Sequence, residues 1–282
     1  MKRLGVVGSG IMGAGIAETA ARAGHEVIVR SRHRERAEAM VAALAASLAR
    51  RVEAGKMPPD ERHAILGRVT ATTDLGDLAK CDLVIESVVE DLEAKRHLFR
   101  LLDDICPEDV ILATNTSTLP VVEMAMATGR PERVCGVHFF NPAPKMAVVE
   151  IVRPLTASDE TIAACRAFVE ACDKHPVEVK DRAGFIVNAL LFPYLNNAAR
   201  MFDAGIASLD DIDAAMKGGC GFPMGPLALL DLVGLDTSVA ILDVLHRELG
   251  DPNYAPVPCL RRMVAAGWLG CKSGRGFYDY PS

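Results

Sequence analysis

No apolar run in this chain of 282 residues approaches the roughly 18 residues that a membrane-spanning helix needs, so no membrane anchor is expected. There is no excess of positive charge either. Thirty-one Lys and Arg stand against 37 Asp and Glu, a formal net charge of −6, which argues against a general binder of nucleic acid or of anionic membranes. An anionic ligand would need a local basic patch. The eight cysteines are scattered and contain no C-x-x-C, which excludes the usual redox and zinc-ribbon motifs. In a cytoplasmic chain they are expected to be reduced, several of them as small core residues. Cys135 and His138 stand three apart on an expected strand and so face opposite sides, and a shared metal is discarded. The N-terminus "MKRLGVVGSG" runs straight into a strand and a glycine turn, leaving no room for a signal peptide. No repeat or low-complexity segment interrupts the chain.

What is present reads as two domains. Half of the residues are hydrophobic, enough for a full core at this length. From "LGVVG" (4–8) onward, short apolar runs alternate with helical periodicity. The strands "EVIVR" (26–30), "VTATT" (69–73), "CDLVIESV" (81–88), "VILATNTS", "RVCGVHFF", "MAVVEIVRP" and "HPVEVK" (175–180) surround helices such as "HRERAEAMVAALAASLARRVEAG" and "LEAKRHLFRLLDDI". That pattern predicts an α/β fold, a doubly wound, mostly parallel sheet of Rossmann type covered on both faces. After about residue 182 every segment is helical and joined by Gly/Pro turns, with "SLDD" and "LDTS" as N-cap candidates. The expected division is a dinucleotide-binding domain over 1–182 and an all-α domain over 183–282.

Gly8-Ser9-Gly10-Ile11-Met12-Gly13 is G-x-G-x-x-G between a strand and a helix. Gly8 permits a tight turn, Gly10 lets a diphosphate approach the backbone, and Gly13 lets the helix pack close. About 20 residues later an acidic side chain is expected on the ribose hydroxyls of NAD. It is missing: the place holds Ser31 and Arg32, between Arg30 and Arg34. A serine hydroxyl beside guanidinium groups can donate to the 2′-phosphate of NADP. The arginines can equally be a solvated loop and helix start, which leaves NAD or NADP open.

For a proton carrier, six of the seven histidines sit in helical or turn contexts with charged neighbours and are expected at the surface. His138 in "GVHFFNPAPKMAVVEIVRP" differs, because it ends a strand, where an open α/β sheet borders its ligand crevice. Glu150, twelve residues on, could accept a hydrogen bond from its other ring nitrogen, fixing the tautomer and stabilising imidazolium.

The chain resembles the short-chain L-3-hydroxyacyl-CoA dehydrogenases, especially the bacterial 3-hydroxybutyryl-CoA dehydrogenase type. The matching segments include "GVVGSGIMGAGIAE", "LVIESVVEDLEAKRHLF", "ATNTSTLP", "VHFFNPAPKM", "DRAGFIVNALLFPYLNNA" and "GCKSGRGFYDY", spread over residues 4 to 280. The resemblance implies that His138 exchanges the proton of the C3 hydroxyl with Glu150 orienting it. It implies that Ser117 and Asn188 hydrogen-bond the reacting oxygen. It places Glu90, Lys95, Asn115, Asn141 and Lys272 near the nicotinamide half or the domain junction, and Lys56 at the CoA phosphates, where Arg50 and Arg51 could enlarge the basic patch. A homodimer through the helical domain and a short-chain acyl-CoA substrate follow from the same resemblance. Two positions depart from it: the missing acid after the second strand, and Cys271 before Lys272 where a basic residue is frequent. The rival readings are a dehydrogenase of a carrier-bound hydroxyacyl thioester or a free β-hydroxy acid, and a non-enzymatic cofactor-binding protein. Free-acid relatives typically use a lysine base, which His138 with Glu150 speaks against.

Overall fold

The computed structural model describes residues 1–280. The chain divides into two compact units, Met1–Asp181 and Arg182–Ser282. The first carries one sheet of eight strands: β1 (Arg3–Val7), β2 (Glu26–Arg30), β3 (Val69–Thr72), β4 (Leu83–Glu86), β5 (Ile111–Thr114), β6 (Val134–Phe139), β7 (Val148–Arg153) and β8 (His175–Lys180). Their order is β3-β2-β1-β4-β5-β6-β7-β8. Every pair is parallel except β6 with β7. The central strands β4, β5 and β6 are buried along their whole length, which is why they read as continuous apolar runs rather than as alternating ones. The chain leaves β1 towards β2 and β3 on one side and returns to β4 on the other. The carboxyl ends of β1 and β4 therefore flank the crevice where such sheets bind ligands.

Helices α1 (Ile11–Arg22), α2 (Arg34–Glu53), α3 (Pro59–Gly67), α4 (Leu92–Ile105), α5 (Val121–Ala125) and α6 (Asp159–Ala171) belong to the same unit. In α2 the buried residues Ala37, Met40, Leu44 and Leu48 recur every three to four positions, the stripe that seats an amphipathic helix on a sheet. Three of these helices were not expected. α3 opens on Pro59, whose fixed φ suits a first helical position. The Ser158 hydroxyl accepts from Thr161 N at 3.2 Å and starts α6. The short α5 has its first backbone N–H groups, Val121 and Val122, bonded to the Asp181 carboxylate at 3.0 and 2.8 Å.

The second unit is helical: α7 (Val187–Asp203), α8 (Leu209–Cys220), α9 (Pro226–Val233), α10 (Leu235–Leu249) and α11 (Pro258–Ala265). Phe192, Leu195, Leu227, Leu230, Leu242, Leu245 and Leu260 form its core. Of the two expected caps, Ser208 serves: its hydroxyl accepts from Asp211 N at 3.2 Å. The other does not, because α10 begins directly after Gly234 and Asp236 and Ser238 lie inside it. Two buried carboxylates organise this unit. Asp213 accepts from Leu227 N and Ala228 N in the first turn of α9. Asp231 accepts from Phe277 N and Tyr278 N, both at 2.9 Å, and so pins the C-terminal segment.

No helix among the described residues is long and apolar enough to cross a membrane. Six cysteines are buried and Cys220 and Cys271 are exposed. Burial pushes the Cys81 and Cys172 thiols up to about 12, so these are packing residues and not nucleophiles.

Candidate active site

A cleft of about 830 Å³ opens over the ends of β1, β2, β4 and β5. Its floor is the glycine turn. Gly8 has φ +120°, and a Cβ there would meet Ser87 O at 2.2 Å; a Cβ on Gly13 would meet Gly8 O at 2.0 Å. Neither position can carry a side chain without moving backbone. Gly10, by contrast, faces open space within 4 Å, and the first turn of α1 presents its unpaired N–H groups there. That combination fits a diphosphate, the central part of a dinucleotide, and Gly8, Gly10, Ile11 and Met12 all line the cleft.

At the β2 end the cleft is lined by Arg30, Ser31, Arg32, His33 and Arg36. Ser31 is buried and its Oγ accepts from Ser9 Oγ at 3.0 Å. Burial, and then repulsion from Arg32, lower the Arg30 guanidinium from its ordinary value. Arg34 does not line the cleft; it points outward, 3.9 Å from Glu38. Arg36, half a turn further along α2, takes its place, a residue not singled out from the sequence. Glu90 is the one carboxylate among the lining residues, and it stands at the opposite end.

That opposite end holds Glu90, Lys95, Asn115 and Ser117, together with His97. His97 is exposed, as the sequence led one to expect of six of the histidines, yet it lines this cleft; His25 departs from that expectation, half-buried against Phe168 with ring centroids 5.3 Å apart. Glu90 accepts from Ser117 N at 3.0 Å and from Thr116 Oγ1, and lies 3.2 Å from Lys95 Nζ. Burial alone would raise the Glu90 carboxyl, but the Lys95 ammonium and these donors outweigh it and hold it below the ordinary carboxylate value.

His138 and Glu150 stand directly opposite each other in the antiparallel β6–β7 ladder. The twelve-residue spacing is that of a hairpin, and the register puts both side chains on one face. Nδ1 of His138 is 2.7 Å from Oε2 of Glu150, with the side chains 6% and 1% exposed. The Phe140 ring packs against the imidazole at 4.5 Å. One residue further, Phe139 N donates to Asn115 Oδ1 at 2.8 Å, tying the end of β5 to the strand that bears His138. Cys135 turns the other way, 3.4 Å from Cys165 on α6, so it shares no metal with His138.

A second cleft, of about 630 Å³, lies in the same unit between α1, α2 and the loop after β6. Lys56, Arg50, Arg51 and Lys145 line it, with Asn141. Asn141 thus falls beside Lys56 and not in the cleft of Glu90 and Lys95. Arg51 Nε is buried without a hydrogen-bond partner. The remaining expected residues, Asn188 and Lys272, belong to the helical unit. Asn188 is buried in the first turn of α7, and Lys272 Nζ donates to Asp236 Oδ2 at 2.7 Å.

Both units match known families along nearly their whole length. Residues 3–182 match the model of the 3-hydroxyacyl-CoA dehydrogenase NAD binding domain, and residues 184–280 that of the 3-hydroxyacyl-CoA dehydrogenase C-terminal domain. A 3-hydroxybutyryl-CoA dehydrogenase of Mycobacterium tuberculosis is 49% identical over 286 residues, covering 99% of each chain. One of Clostridioides difficile is 45% identical over 278 residues, again covering 99% of each. The crystal structure of (S)-3-hydroxybutyryl-CoA dehydrogenase PaaH1 from Ralstonia eutropha superposes with a TM-score of 0.96 at 41% identity, covering 100% of both chains. These similarities run with the main expectation from the sequence, and not with a free-acid enzyme or a non-enzymatic binder. A glycine-turned cleft, a buried His–Glu pair on the same sheet and full-length similarity together make this chain an oxidoreductase, and it belongs to the 3-hydroxyacyl-CoA dehydrogenase family.

Proposed function

We propose that His138 and Glu150 are the acid/base pair by which this dehydrogenase interconverts a short-chain L-3-hydroxyacyl-CoA, such as 3-hydroxybutyryl-CoA, with the 3-oxoacyl-CoA. The 2.7 Å contact between His138 Nδ1 and the buried Glu150 carboxylate carries the reading. With Nδ1 committed to Glu150, Nε2 is the nitrogen that takes the C3 hydroxyl proton during oxidation and returns it during reduction. Glu150 stabilises the imidazolium formed in between. The nicotinamide cofactor, when bound, supplies the hydride acceptor or donor. Negative charge builds on the C3 oxygen during reduction. Ser117 and Asn188 are assigned as donors to that oxygen, lowering the barrier where the charge develops. Lys56, Arg50, Arg51 and Lys145 form the basic patch for the CoA phosphates on an otherwise acidic protein. The domain roles follow: residues 1–182 hold the cofactor, and 183–282 contribute Asn188 and the subunit contact.

The cofactor proposed is NADP(H). At the β2 end Arg30, Arg32 and Arg36 line the cleft together with Ser31, and no carboxylate is among the lining residues there to repel a 2′-phosphate. Initial rates of acetoacetyl-CoA reduction by the purified protein test both proposals at once. NADPH is expected to exceed NADH in kcat/KM. Turnover with NADH preferred would refute the phosphate pocket alone, and no turnover with either would refute the acyl-CoA assignment.

The helical unit leaves large apolar side chains exposed, Leu190, Ile206 and Leu232 each by more than half and Phe222 by 43%. Apolar surface left in water favours association when it is covered by a partner, and a homodimer through this unit is proposed. Light scattering should then give about twice the chain mass of 30.2 kDa; a monomer at micromolar concentration would overturn it.

A further inference from the structure

Beneath the cofactor cleft lies a charged group that the chemistry described so far does not use. Glu86, the last residue of β4, is fully buried. Its Oε1 accepts from Lys95 Nζ at 2.7 Å and from Val88 N at 2.6 Å, and its Oε2 from Thr114 Oγ1 at 2.7 Å. Lys95, 1% exposed, also meets Glu90 at 3.2 Å, and Glu90 in turn binds the 116–118 backbone and hydroxyls. One unbroken run of hydrogen bonds therefore joins the end of β4 to the turn after β5 that carries Asn115 and Ser117. An ion pair this deep adds little to stability over an apolar core. Two members of this run, Lys95 and Glu90, line the cleft itself, so the group is placed to act on what the cleft holds.

Two carboxylates face one ammonium, a surplus of one negative charge. The sheet order fixes which half of the cofactor this charge meets. The diphosphate sits on the turn after β1, and the adenosine half runs towards β2. The nicotinamide half must then lie over β4 and β5, the side where Glu90 and Lys95 line the cleft. An oxidised nicotinamide ring carries one positive charge and a reduced ring none.

We infer that Glu86 is a positioning residue of the cofactor site: it anchors Lys95 and, through it, Glu90, and the surplus negative charge of the three favours the oxidised cofactor over the reduced one. This rests on the cofactor-site reading above. Removing one charge should weaken binding of the oxidised form selectively. The expected change in the ratio of dissociation constants is about tenfold, the effect of one unit charge at a partly solvated site.

The test is titration of Glu86→Gln with NADPH by fluorescence and with NADP⁺ by competition, repeated for NADH and NAD⁺. Glutamine keeps the shape, and Lys95 keeps Glu90 as counter-ion, so the fold should survive; circular dichroism and Tm check this. The ratio Kd(oxidised)/Kd(reduced) is expected to rise about tenfold, and Glu86→Asp, which keeps the charge, to leave it within about twofold of the wild type. Glu90→Gln, at a partly exposed position, must move the ratio in the same direction and decides the matter if Glu86→Gln does not fold. Equal weakening of both forms, or an unchanged ratio, would mean a purely structural triad and overturn the inference. Failure of the wild type to bind either form would instead sink the cofactor-site reading and this inference with it.

Discussion

His138→Gln is expected to lower kcat for acetoacetyl-CoA reduction by about 10²- to 10⁴-fold, the usual contribution of a positioned acid/base group. Glutamine is the informative replacement. Its amide N–H₂ can still donate to Glu150, so the buried carboxylate keeps a hydrogen bond at this position, and only the exchangeable proton is lost. His138→Ala would remove a partner from a carboxylate that is 1% exposed. The cost of that, on the order of 3–5 kcal/mol when one member of a buried pair is deleted, would mix unfolding with loss of chemistry. Stopped-flow single turnovers should place the loss in the chemical step, with the cofactor Kd within about twofold of the wild type. A variant retaining more than a tenth of wild-type kcat would remove His138 from the mechanism. Glu150→Gln should give a smaller loss in kcat, because the imidazole would remain while its orientation and the charge that stabilises imidazolium would weaken.

The parts of this protein readable from sequence are those in which local pattern and chemistry coincide. The β1 turn was legible because its glycines stand in fixed spacing: Gly8 and Gly13 answer a steric need, seen as contacts of about 2 Å that a Cβ on either would make, and Gly10 leaves open space for a ligand. His138 and Glu150 were legible as candidates, but their contact depends on β7 running antiparallel to β6. Nothing in either strand's composition encodes that direction. Arg36 and His97 were missed for a different reason. Both are polar residues on amphipathic helices, where a solvated face and a cleft-lining face look alike in sequence. Glu86 did leave a trace, as the one charge inside the run "LVIESV" (83–88). A carboxylate at the buried end of a strand needs a partner, and that partner, Lys95, lies nine residues on across a turn and a helix start. Pairing over such a gap is set by tertiary packing and not by periodicity.

Arg32→Asp should invert the cofactor preference, changing the NADPH/NADH ratio of kcat/KM by about 10²-fold. The substitution removes a donor and introduces a repelling charge. A hydrogen bond to a charged group is worth about 1.5–3 kcal/mol, and the new carboxylate would add repulsion of the 2′-phosphate and accept from the ribose hydroxyls of NAD. Arg32 is exposed, so solvent and salt screen part of each effect, which sets the estimate at the lower end of what the two would give together. Exposure has an advantage as well, since the change should leave Tm unaltered. Arg30, half-buried and bonded through Nε to Thr73 O at 3.3 Å, is the less suitable site, because its loss would disturb the β2–β3 edge. The salt dependence supplies an independent check. Binding of NADPH to the wild type should weaken with ionic strength more steeply than binding of NADH, since only the former places two extra charges among Arg30, Arg32 and Arg36. Equal slopes, with a ratio unmoved by Arg32→Asp, would mean that these guanidinium groups are a solvated rim and that the missing acid after β2 has no replacement.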